Sequence, residues 1–150
     1  MLRNLLKQRS EQQEGFTLIE IVLVLAIAGL ILVVVFLAVG GAQRARRDTQ
    51  RVNDAGRVAA DLEQFASNNN GDYTGYAAST GIANLKDPSS GNSVKVGAPT
   101  TTPLTATNAG YFVQLGKKCS GTTVTGAGAR NYAIIYFNEA GSKNACKDNS

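Results

Sequence analysis

Residues 15–36 read GFTLIEIVLVLAIAGLILVVVF, an almost unbroken hydrocarbon surface with one carboxylate, Glu20, near its start. The apolar character continues past this stretch. From Ile21 to Ala42, 22 consecutive residues carry no charged or hydrogen-bonding side chain. At ~1.5 Å per residue, a helix of that length is about 33 Å long and crosses the hydrocarbon core of a bilayer. Beyond Ala42 the chain turns polar and is rich in Gly, Ser, Thr and Asn. The 150 residues therefore hold one membrane-length segment and a polar portion of ordinary single-domain size.

Glu20 discriminates between kinds of membrane segment. A conventional secretory signal would use Arg3, Lys7 and Arg9 as its basic region and be cut near Ala38-Val39-Gly40. Its apolar core would be too long, because such cores run to only ~7–15 residues. A plain uncleaved anchor accommodates the length but gives the carboxylate no use. A carboxylate costs up to ~2.5–3.5 kcal/mol at mid-membrane and less near an interface.

Gly15-Phe16-Thr17-Leu18-Ile19-Glu20 follows a polar leader, MLRNLLKQRSEQQEG, and precedes the apolar run. This combination resembles the processing site of type IV pilins and pseudopilins. The resemblance implies that a prepilin peptidase removes residues 1–15 by cutting between Gly15 and Phe16 on the cytoplasmic side, then methylates the Phe16 amine. It implies that residues 16–42 stay on the mature chain, first as a transmembrane helix and later as the core of a helical filament. It also implies copies of the same chain and a pilus assembly platform as partners, and membrane lipid before assembly. The subunit would begin as a single-pass protein of the cytoplasmic membrane with its head outside, and end in an extracellular pilus.

Within that scheme Glu20 acquires a role. Cleavage leaves a positive amine on Phe16, and a carboxylate in the first turns suits the helix dipole. In apolar surroundings the carboxylate needs a cation. The Phe16 amine of its own or a neighbouring subunit supplies one, so that Glu20 sets axial register as buried polar residues do in coiled coils. A Glu20 that snorkels to the headgroups is the competing reading for an isolated subunit. Two features depart from the family's pattern. Arg44, Arg46, Arg47, Arg51 and Arg57 follow the run against three basic residues before it, the opposite of the positive-inside bias for an exported head. The run also lacks the proline of many pilins, leaving Gly29, Gly40 and Gly41 as its weak points, at ~1 kcal/mol each relative to Ala.

Behind the run, Val52, Ala55, Ala59, Leu62 and Ala66 recur at helical spacing, widened by Val58 and Phe65, with Arg47, Asp54, Asp61 and Gln64 largely elsewhere. Residues 43–68 thus read as an amphipathic helix, ended by Asn68-Asn69-Asn70-Gly71-Asp72. The remaining head, 69–150, starts with loops, including a Thr-Pro-rich one, with a helical turn near Ile82–Leu85 and a short strand at Val94–Val96. Strands follow at Tyr111–Leu115, Thr122–Thr125 and Tyr132–Asn138. The fold class is α+β, a long helix packed on a small antiparallel sheet, and the resemblance implies the same pilin ladle fold.

Cys119 and Cys146 allow one intramolecular pairing, which needs an oxidising compartment; two free buried thiols are the other reading. The resemblance implies a C-terminal disulfide loop, worth about 3–4 kcal/mol for ~26 residues in the chain-entropy model. The sequence supplies no parts for catalysis. It has no histidine to serve as base, no phosphate loop, and Asp72, Asp87, Glu139 and Asp148 stand apart. No metal or cofactor is expected. Without residues 1–15, 12 Lys and Arg face 9 Asp and Glu. Lys117, Lys118, Lys143 and Lys147 flank the cysteines, and a disulfide would gather them into an anion-binding patch for DNA. A solvated lysine edge is the plainer reading. The function read from the sequence is that of a type IV pilus subunit. A pseudopilin of a secretion or competence machine uses the same residues, and an uncleaved membrane-anchored binding protein is the alternative of another class.

Overall fold

A computed structural model describes residues 15–99 and 103–150. Most of the leader, with Arg3, Lys7 and Arg9, and the centre of the Thr-Pro-rich loop lie outside the described residues. The chain divides into two compact units, Met1–Gly40 and Gly41–Ser150. Helix α1 (Leu18–Asn68) contributes to both. In the first unit α1 is apolar and exposed along its whole described length, and it is long and apolar enough to cross a membrane.

In the second unit one stripe of α1 is buried: Arg51, Asp54, Ala55, Val58, Ala59, Leu62 and Ala66. The helical spacing of the alanines, Val58 and Leu62 is as the sequence suggests. Two positions differ. Val52 is 52% exposed, whereas Asp54 points inward, because the buried stripe near the start of this unit is filled by ion pairs. The helix ends in the expected turn. Asn69 and Gly71 both donate to the Ala66 carbonyl, and Asn70 and Gly71 take left-handed backbone angles, which glycine adopts without a Cβ penalty.

Helix α2 (Thr80–Ala83) overlaps the expected helical turn. Six strands follow: β1 (Val94–Val96), β2 (Tyr111–Leu115), β3 (Lys117–Ser120), β4 (Thr123–Gly126), β5 (Tyr132–Asn138) and β6 (Lys143–Asp148). Four form one sheet in the order β1-β2-β5-β6, and β3-β4 form a separate hairpin. The larger sheet is antiparallel from β2 to β6, with Phe112 opposite Ile135 and Ile135 opposite Cys146, while β1 joins β2 in parallel.

Both faces of this sheet are covered. Val94, Tyr111, Val113, Tyr132, Ile134 and Tyr136 pack with the buried stripe of α1 and with Tyr73, Tyr76 and Ile82. Phe112, Ile135 and Phe137 form a second cluster with Leu104 and Ala109, joined by Val124 of the hairpin and by Cys146. This explains why Tyr132–Phe137 reads YAIIYF without polar alternation, since all six residues are buried.

Candidate processing and assembly segment

The segment that the sequence singles out opens with three residues outside any helix. Gly15, Phe16 and Thr17 are non-helical and exposed, and α1 begins at Leu18. A protease needs an extended, reachable chain, which a helical peptide bond does not offer. Among the described residues no atom lies within 4 Å of where a Cβ of Gly15 would stand, so none of them requires glycine there.

Thr17 caps the helix. The Glu20 amide donates to the Thr17 carbonyl at 3.1 Å and lies 3.3 Å from Thr17 Oγ1. Thr17-x-x-Glu20 is the sequence form of a capping box, a signal the sequence reading passed over in favour of the charge on Glu20. The carbonyl and the hydroxyl of Thr17 share this helix-end amide, the hydroxyl being the longer of the two contacts. Glu20 itself is exposed, and among the described residues it has no ion pair. In the uncut chain the Phe16 nitrogen is an amide and carries no charge to pair with. Gly15, Phe16, Thr17 and Glu20 border one open recess.

Residues 12–36 match a model of the prokaryotic N-terminal methylation motif. The chain carries a prokaryotic N-terminal methylation motif. This motif is the class III signal peptide of type IV pilins and pseudopilins, and it supports a pilin-like or pseudopilin prepilin. The motif implies processing by a prepilin peptidase and assembly with copies of the same chain. With an apolar helix behind it, the methylation motif fits a membrane-anchored subunit. Neither the curated proteins nor the solved structures yield a match to the chain.

In the second unit, acids that look isolated in the sequence meet around one arginine. Arg51 is fully buried. Its Nε donates to Asp87 at 2.7 Å, and its Nη1 donates to Asp48 at 2.9 Å and to Glu139 at 3.3 Å. The Phe137 ring lies 5.5 Å beneath the guanidinium. Asp48 also accepts from the amides of Glu139 and Ala140, both at 2.8 Å, which fixes the β5–β6 turn to α1. Burial pushes the Asp87 carboxyl upward, but the Arg51 guanidinium and the Ser89 and Ser90 amides outweigh it and hold it down at about 2. Glu139 is lowered too, chiefly by its hydrogen bond from Arg47. Tyr111 donates to Asp54 at 3.0 Å, so the second inward acid is also satisfied. Apart from the Asp48–Arg51 pair, which stands at i,i+3 on α1, these contacts are separated by 36 to 92 residues, and no spacing rule reveals them.

Cys119 and Cys146 form a disulfide with Cα atoms 5.8 Å apart, joining the β3–β4 hairpin to β6. The Asp148 carboxylate accepts from the Cys119 amide at 2.8 Å. The lysines beside the cysteines divide between the hairpin and β6. Lys143 and Lys147 alternate with Cys146 and share the face of Ala145, which packs toward α1. Lys117 and Lys118 lie on the hairpin, which covers the other face, with Asp148 close to Lys118.

Proposed function

We propose that the chain is the structural subunit of a type IV pilus, cut between Gly15 and Phe16, methylated on Phe16, and polymerised through its N-terminal helix. The observation that carries this reading is the methylation motif at residues 12–36, which overlaps the start of a helix whose apolar side chains are exposed among the described residues. A membrane covers such a surface first, and the helices of other copies cover it afterwards. The exposed, non-helical Gly15–Thr17 segment supports cleavage there, and the open space around Gly15 among the described residues fits a glycine requirement set by the peptidase. The recess shared by Phe16 and Glu20 supports Glu20 as the register device, pairing with the freed amine of an adjoining subunit. The disulfide fits a head folded in an oxidising compartment.

The test is mass spectrometry of filaments sheared from the cells that make the protein. The expected species begins at N-methylated Phe16 and retains the Cys119–Cys146 bond. An intact Met1 on the surface-exposed protein would overturn the reading and leave a plain anchor. A processed chain confined to the envelope, with no extracellular filament, would make it a pseudopilin.

A further inference from the structure

The five arginines behind the apolar run have different surroundings. Arg47 and Arg51 are engaged by Glu139, Asp48 and Asp87, and Arg57 approaches Asp54 at 3.5 Å. Arg44 and Arg46 are exposed, and among the described residues neither has a hydrogen bond or an ion pair. Asp48, one turn from Arg44, is already occupied: Oδ1 accepts from Arg51 and the Glu139 amide, and Oδ2 from the Ala140 amide. The described residues of the folded unit thus leave these two cations unpaired.

Position and direction identify the kind of partner. Arg44 and Arg46 stand two and four residues beyond Ala42, an axial rise of about 3 and 6 Å. For a helix whose residues 21–42 fill the hydrocarbon layer, this is the depth of the headgroups. Their side chains leave the helix about 200° apart, on opposite sides. One concave protein partner does not reach both sides of a helix, whereas separate small anions surrounding it do. Guanidinium matches phosphate in geometry and charge. The arginines also oppose the positive-inside bias for an exported head, a cost that a headgroup role on that side accounts for.

We propose that Arg44 and Arg46 bind the headgroups of acidic phospholipids in the leaflet facing the folded head, and so fix the depth of the subunit before assembly. The choice of leaflet rests on the pilin-type reading, while the lipid chemistry does not.

The test is native mass spectrometry of the full chain in neutral detergent, titrated with phosphatidylglycerol or phosphatidylcholine. Phosphatidylglycerol should bind more tightly, by about fivefold for each arginine. The double variant Arg44→Gln/Arg46→Gln should lose that preference, with tyrosine circular dichroism and the disulfide unchanged. Excess inorganic phosphate should not displace the lipid. Equal affinity for the two lipids would overturn the proposal, as would a preference that survives in the double variant. Displacement by free phosphate would overturn it in favour of a soluble anion site. A change in self-association without lipid preference would assign the arginines to carboxylates of a second copy. An intact Met1 on the exported protein would sink the prepilin reading alone and leave the lipid result standing.

Discussion

From Leu18 to Gly40 every side chain of α1 is exposed, whereas from Arg51 to Ala66 the same helix buries seven residues, two of them Arg51 and Asp54. The first stretch thus exposes apolar side chains, while the second buries two charged ones beside five apolar ones. Burial depends on which partners the chain can supply. Arg51 is buried because three carboxylates and an aromatic ring converge on it. The leucines and valines of the first stretch are exposed among the described residues. At ~1.5–3 kcal/mol for each large apolar side chain, that surface in water forfeits on the order of tens of kcal/mol. The second stretch completes its environment from within the chain, and the first requires one from outside.

The largest effect should come from breaking the first stretch where it carries charge. Glu20→Gln keeps shape and loses charge, which in the proposed register pairing leaves the Phe16 amine of a neighbour without its partner in apolar surroundings. The loss is about 3 kcal/mol per added subunit, so filament yield should collapse while cleavage, insertion and head folding stay intact. Electron microscopy of the variant, with leader removal confirmed by mass spectrometry, checks this. Normal yield would mean that Glu20 snorkels and that the first stretch assembles on apolar contact alone.

Arg51→Ala makes the corresponding break in the second stretch. It strands Asp87, which is almost fully buried, and removes a cation from Asp48 and Glu139. The head should lose about 3–5 kcal/mol in urea unfolding of the full chain in detergent. The double variant Arg51→Met/Asp87→Asn should recover much of that loss. A single variant as stable as the parent would show that the ion pairs are incidental to the packing.

Acid should sharpen the contrast with a smaller effect. The Asp87 carboxyl lies at about 2 in the folded chain, below its ordinary 3.8. A depressed folded value contributes stability that is present above the unfolded value and is lost as pH falls through the folded one. The head should therefore keep its stability down to about pH 5 and lose about 2 kcal/mol from this group by pH 2. The Arg51→Met/Asp87→Asn variant should show a shallower loss. An identical acid profile in both proteins would assign the dependence to other carboxylates.

Glutamine at Lys117, Lys118, Lys143 and Lys147 should have the smallest effect, within about 0.5 kcal/mol of head stability. The lysines are divided between the hairpin and β6, with Asp148 beside Lys118, so any DNA binding should be weak and strongly salt-dependent. Electrophoretic shift at low salt measures this, and tight binding abolished by the four substitutions would restore a single anion-binding patch.

The sequence by itself determined the features that act locally. The apolar run, the glutamate at its start and the glycine-phenylalanine junction are neighbours in the chain, so their meaning survives without a fold. The 3.6-residue spacing of Ala55, Ala59, Leu62 and Ala66 and the β-branched and aromatic strands at Tyr111–Leu115 and Tyr132–Asn138 were legible for the same reason. Tertiary structure decided the rest. Strands β3 and β6, KKCS and KNACKD, are too polar to announce themselves, and they form because β4 and β5 supply their ladders. The pairing of Cys119 with Cys146 became definite only once β3 and β6 were in place. The burial of Arg51 depended on Asp87 and Glu139 arriving from 36 and 88 residues away, a convergence that no local pattern encodes. An ionised side chain is buried where the fold completes its hydrogen bonds, and only the assembled fold determines where that is.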